Sequence, residues 1–225
     1  MANEKSKSRQ LKENYCILCE GITEFNYFTS IKQKISNPNI ILKIDNIRGG
    51  GYSNIIQEIT KLGKVGYLAV FVIFDGDKAT NPNEKIQLEK LINFCKKRNS
   101  NNLAFPCCLI VNSPDFEYIA CLHDSSFNGK NSAAHIKKFF GYSDLEKFKS
   151  DTAIYEKLNR NPLSYKNMLK KLENYPKIVR NEYNLGDSEK VRKKISISCS
   201  HYNSNAIGKN GSNIGEVFNI LHFDD

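Results

Sequence analysis

From Tyr15 to Cys19 the chain is apolar, and the run ends on Glu20 and Gly21. The apolar positions that follow, Phe25, Tyr27, Phe28, Ile31 and Ile35, keep helical spacing, which predicts a strand, a turn and a helix. Asn39 to Ile47 is β-branched and partly alternating, breaks at Gly49, Gly50 and Gly51, and gives way to a second helical pattern at Ile55, Ile56, Ile59 and Leu62. Tyr67 to Phe74 (YLAVFVIF) is unbroken and rich in strand formers, as a parallel strand buried on both faces requires. It stops at Asp75, Gly76 and Asp77. Pro82 to Lys97 reads as a helix and Leu103 to Val111 as a fourth strand, and Pro114 suits the first turn of a helix carrying Phe116, Ile119, Ala120 and Leu122.

Four strand-then-helix units in about 110 residues predict an α/β fold, a mostly parallel four-stranded sheet with right-handed crossovers and helices on its faces. Beyond about residue 130 the pattern turns helical, over 133–140, 145–158 and 162–174. A polar stretch (181–194) follows, then a short strand at 195–199, a Gly/Asn/Ser loop over 203–213 and a last helix at 214–221. This reading divides the chain into a disordered tail (1–12), an α/β domain (13–128) and a helical, basic C-terminal extension packed on it (129–225).

With 225 residues, 40% hydrophobic and 25% charged, the chain can bury a core without a staple. No run is long and apolar enough for a membrane span, and the first 12 residues lack the apolar segment of a signal peptide, so a cytoplasmic protein without membrane contact is expected. Seven cysteines form no framework. In a strand Cys16 and Cys19 point to opposite faces, so reduced, buried thiols are expected. The net charge of +9 is uneven: residues 130–194 hold 16 Lys and Arg against 8 Asp and Glu. With aromatics interleaved, this segment suits a nucleic-acid partner through Lys137, Lys138, Lys166, Lys170, Lys171 and Arg192, or equally a solvated helical surface whose rings pack inward.

In open α/β sheets, ligands gather at the carboxyl ends of the strands. The first strand ends on Glu20, the third on Asp75 and Asp77, and the fourth just before Asp115 and Glu117. Converging carboxylates repel one another and must take up protons or a cation, and an all-oxygen set selects Mg²⁺ or Mn²⁺. Asp75 and Asp77 have a spacing that lets both side chains leave on one side. Two rival motifs fail: an EF-hand would need acceptors where Ala79 and Ile86 stand, and a haloacid-dehalogenase-type phosphatase would need threonine at Ala79. A stand-alone NTPase is disfavoured because no G-x-x-x-x-G-K-[ST] occurs. His123, His135 and His201 lack metal-ligand spacing, and Gly49 to Gly51 suits either a phosphate cradle or a flexible turn.

The pattern of Glu20-Gly21, Thr23-Glu24 and Asp75-Gly76-Asp77 resembles that of Toprim domains. The segments CEGITEFNYF (19–28), VFVIFDGD (70–77), NSPDFEYIACLHD (112–124) and SNIGEVFNIL (212–221) resemble the RloB-like family of abortive-infection proteins. That resemblance implies a Toprim fold, a part in antiphage defence beside an ABC-type or AAA-type ATPase, and a divalent-metal-dependent nuclease acting on RNA, including tRNA, or DNA. Glu20, Glu24, Asp75 and Asp77 match the positions with which related Toprim nucleases, of the overcoming-lysogenization-defect type, hold divalent metals, and Glu117 matches an acidic residue of the RloB-like N-x-P-x-F-E stretch. The lysine that such nucleases carry has no clear counterpart, with Lys130, Lys137 and Lys166 as candidates. A Toprim module that binds nucleic acid or protein without cutting is the alternative.

Overall fold

The computed structural model describes residues 12–63, 66–101, 105–185 and 195–223. Nearly all of the expected tail (1–12), and Arg192 with it, lies outside the described residues. The elements in chain order are β1 (Glu13–Cys19), α1 (Ile22–Lys32), β2 (Ile40–Asn46), α2 (Gly51–Lys61), β3 (Ala69–Asp75), a 3-10 turn (Asp77–Thr80), α3 (Pro82–Ser100), β4 (Cys107–Ser113) and α4 (Phe116–Cys121). Next come α5 (Ser132–Phe139), α6 (Leu145–Lys149), α7 (Ile154–Leu158), α8 (Tyr165–Leu172), β5 (Val179–Leu185), β6 (Ile195–Tyr202), β7 (Gly211–Ser212) and α9 (Gly215–Ile220). Among the described residues no helix is long and apolar enough to cross a membrane.

The main sheet has five strands in the order β2-β1-β3-β4-β7. The first four are parallel, as the βαβ pattern predicts, and β7 is antiparallel to β4. The fifth strand corrects the expected count of four: Gly211 and Ser212 carry no apolar signal and read as loop. The C-terminal part is also less helical than expected. It holds the antiparallel β5–β6 hairpin, and the single helix expected over 145–158 is two, parted around Ser150 and Asp151.

Strand alternation divides the core in two. Tyr15, Ile17 and Cys19 of β1 and Phe71 and Ile73 of β3 face α1, α4 and the C-terminal helices. Cys16 and Leu18 of β1 and Val70, Val72 and Phe74 of β3 face α2 and α3. Both faces of the central strands are therefore covered, which is why they read as unbroken apolar runs. Cys16 and Cys19 lie in opposite layers, and all seven cysteines are free and buried. The chain steps from β1 outward to β2 on one side and continues to β3 on the other. Neighbouring crossovers diverge there, leaving a crevice at the carboxyl ends of β1 and β3.

Candidate active site

Glu20 leaves β1 beside β3, because its amide donates to the carbonyl of Ile73 at 2.9 Å. Its carboxylate is tied to the same strand: the Asp75 amide donates to Glu20 Oε2 at 3.3 Å. Gly21 is needed for space. A Cβ there would stand 2.6 Å from Glu24 Oε2, so a larger residue would displace that carboxylate from its present position. Glu24 is 3% exposed, and its Oε1 has no hydrogen-bond partner.

Asp75 ends β3 and joins it to α4, its Oδ1 accepting from the Phe116 amide at 3.0 Å. Asp115 caps α4 by accepting from the Tyr118 amide at 2.8 Å. The helix then places Glu117 against α1, where Thr23 Oγ1 donates to Glu117 Oε1 at 3.2 Å. Glu20, Glu24, Asp75 and Glu117 thus come together from three strand ends. Asp77 stands apart. The backbone leaves the strand at Gly76, so alternation does not carry to Asp77, which is exposed and accepts from the Lys78 amide at 2.6 Å. Gly76 itself has φ −94°, and a Cβ there would lie 3.0 Å from Ile178 Cδ1. Close packing against Ile178 and Val111 rather than a left-handed turn is what favours glycine at Gly76.

Two lysines that the sequence does not single out reach this cluster. Lys78 Nζ donates to Glu20 Oε1 at 2.7 Å, and Lys149 Nζ lies 3.7 Å from Glu117 Oε1. Lys149 arrives from the C-terminal part at the end of α6, which α1 anchors: Asn26 Nδ2 donates to the Lys149 carbonyl at 3.0 Å and Ser30 Oγ to the Thr152 carbonyl at 2.8 Å. Of the lysines expected to contact nucleic acid, Lys137, Lys138, Lys166 and Lys170 are exposed. Lys171 is committed elsewhere, donating to the carbonyls of Asp124 and Phe127 at 3.0 Å each.

Burial raises the proton affinity of these acids, and their neighbouring charges add to it. Burial, with the charges of Glu24, Glu117, Asp115 and Glu20 adding to it, pushes Asp75 well above the carboxylate range. Burial, reinforced by Glu117 and Glu20, pushes Glu24 up to about 8. Asp115 and Glu117 are raised too, chiefly by burial. Like charges about 4 Å apart cost on the order of 4 kcal/mol each at an effective dielectric of 20. The two ammonium groups offset only part of that.

An open cleft of about 460 Å³ leads to Glu20 and Asp75 past Ile22, Arg48 and Gly49. Gly49, Gly50 and Gly51 form the left-handed turn into α2, with φ of 75°, 91° and 69°. A larger cleft of about 640 Å³, bordered by α3 and the β5–β6 hairpin, has Glu182 as its one acid. A third cleft of about 350 Å³ is lined by Glu173 and Glu216, but Glu216 is bonded to Asn181 and Asn213, so the cleft at Glu20 and Asp75 is the one that opens on several acids from separate strand ends.

The acids that act on Glu24, Glu117 and Glu20, offer hard oxygen ligands, and the orphaned Glu24 Oε1 is a buried ligand atom without a hydrogen-bond partner, which suits a hard divalent cation. Among the described residues no three His, Cys, Asp or Glu side chains are already spaced as a finished metal site, so binding would require Glu20 to exchange its Lys78 contact. His123, His135 and His201 are bonded to Tyr27, Asp124 and Glu182 at 2.9, 3.0 and 2.7 Å.

A family model described as RloB-like protein matches residues 15–215. No curated protein and no solved structure matches the chain. The matched region takes in every strand of the main sheet except the first two residues of β1, together with all the acids of the crevice and both lysines that reach them, and the chain belongs to the RloB-like protein family.

Proposed function

We propose that the chain is a Toprim-type nuclease that cuts RNA, including tRNA, or DNA with Mg²⁺ or Mn²⁺, and that it serves antiphage defence with an ABC-type or AAA-type ATPase partner. One observation carries the reading: buried carboxylates from separate strands meet at the crevice of a parallel sheet, more of them than the two nearby lysines could neutralise once ionised, so they keep protons that a cation can replace. Glu20, Glu24 and Asp75 would hold the cation, with Asp77 and Glu117 at the margin. The bound ion would supply an activated water and charge stabilisation at the leaving oxygen. Lys149 and Lys78, once exchanged from their carboxylates, are the groups placed to meet phosphate oxygens, and the exposed lysines of α5 and α8 would hold the flanking backbone. Family membership supports the defence role.

A non-catalytic binding module is the second reading, supported by the lysine contacts to Glu20 and Glu117 and by the lack of a finished ligand set. Purified protein incubated with tRNA, single-stranded RNA and duplex DNA separates the two. Cleavage that needs Mg²⁺ or Mn²⁺, stops in EDTA and is lost in Asp75→Ala while nucleic-acid binding persists supports the nuclease. Cleavage undiminished in Asp75→Ala overturns it.

A further inference from the structure

Phe139, at the end of α5, is 52% exposed, and it is the aromatic member of the exposed large hydrophobic side chains among the described residues. Exposure alone is ordinary. Its setting is not. The ring stacks on His135 with centroids 4.4 Å apart and planes 27° from parallel. His135 is 8% exposed, its Nε2 lies 3.0 Å from Asp124 Oδ2, and the rings of Phe127 and Phe140 pack on it at 4.7 and 5.4 Å. Phe139 is thus an exposed ring on a fixed base. Burial lowers the pKa of His135, so the ring beneath is neutral at neutral pH.

The surroundings are cationic. Lys137 and Lys138 precede Phe139 and are exposed, and Lys138 Nζ lies 5.1 Å from the Phe139 centroid. Between Asp124 and Asp144 the chain carries Lys130, Lys137 and Lys138 and no acid. α5 packs against α4, which carries Glu117, and against α6, which carries Lys149. The aromatic surface therefore adjoins both elements that flank the acidic crevice.

We propose that Phe139, backed by His135 and flanked by Lys137 and Lys138, is a stacking platform for an unpaired base of single-stranded nucleic acid. Every base offers a π-face to an aromatic ring, whereas a base inside a duplex is already stacked. The flexible lysines yield to the base and take its phosphates. The inference rests on the nucleic-acid substrate proposed above and narrows it to loops, bulges or ends.

The test is fluorescence anisotropy in EDTA with the full chain and three labelled probes: a short single-stranded RNA, the same strand with abasic sites, and a duplex. Removing a stacking ring costs about tenfold in affinity or more. Phe139→Ala is expected to weaken the single-stranded RNA by about that factor while leaving the abasic strand, the duplex and the melting temperature unchanged, and Phe139→Tyr restores binding. Equal affinity of Phe139→Ala and wild type for the single strand overturns the proposal, as does an equal loss on the abasic strand or failure of the wild type to bind any probe. Sedimentation showing that Phe139→Ala dissociates a dimer also overturns it, assigning the ring to a contact between copies. Because no metal or cleavage enters this measurement, its failure leaves the metal reading standing, and a chain that stacks bases yet never cuts fails that reading alone.

Discussion

Glu24 sits deepest in the acidic group, and its titration has a defined sign. Its carboxyl moves from 4.5 toward about 8 on folding, burial being the main cause. Between those values the folded chain holds a proton that the unfolded chain releases, so stability is full below the lower value and falls as pH rises through the upper one. Asp75, Asp115 and Glu117 shift in the same direction. Thermal unfolding in EDTA should show the midpoint dropping across this range, and Glu24→Gln should shrink the drop; a pH-independent midpoint would contradict the electrostatics. Residues of this kind are unevenly legible. Glu20 and Asp75 are visible because each ends an apolar run, and Glu24 because it opens a helix. Lys78 and Lys149 are not, since the first meets an acid 58 positions earlier and the second depends on the path of α6. Asp77 is exposed rather than buried with the other acids because alternation ends with the strand.

β7 shows what governs the edge of the sheet at the scale of an element. It pairs Ser113 with Gly211 and Asn112 with Ser212, and Ser212 Oγ donates to Asn112 Oδ1 at 2.9 Å. The chain passes so close to Pro176 that a Cβ on Gly211 would lie 2.0 Å from the Pro176 carbonyl oxygen. Backbone cannot swing aside as a side chain can, so Gly211→Ala should destabilise at the upper end of the about 1–3 kcal/mol typical of overpacking. A urea midpoint equal to that of the wild type would refute this close approach. The four parallel strands were readable because burial on both faces makes them apolar throughout. β7 is two residues long, and β5 buries Asn181 beside Val179, so neither shows the apolar periodicity that marks a strand. The break between α6 and α7 follows from contacts rather than composition: Asp151 accepts from the Ala153 amide at 2.9 Å and pairs with Lys157 at 2.7 Å.

Across the whole molecule, the chain path sets an acidic crevice beside a lysine-bearing helical surface, with Lys149 joining the two. Acids gather at the crevice between β1 and β3, while α5, α6, α7 and α8, which carry Lys137, Lys138, Lys147, Lys149, Lys157, Lys166, Lys170 and Lys171, pack on the same face of the sheet as α1 and α4. A phosphate backbone lying along those helices would be held by their lysines with or without a cation, and a cation that replaces the protons of the crevice would add the contact at the point of cleavage. The measurement that bears most directly on this account is calorimetric titration of the purified chain with Mn²⁺ near neutral pH. The account predicts saturable binding at about millimolar affinity or tighter, abolished by Asp75→Asn without loss of fold. Absence of binding by the wild type, or binding that Asp75→Asn leaves intact, would contradict it.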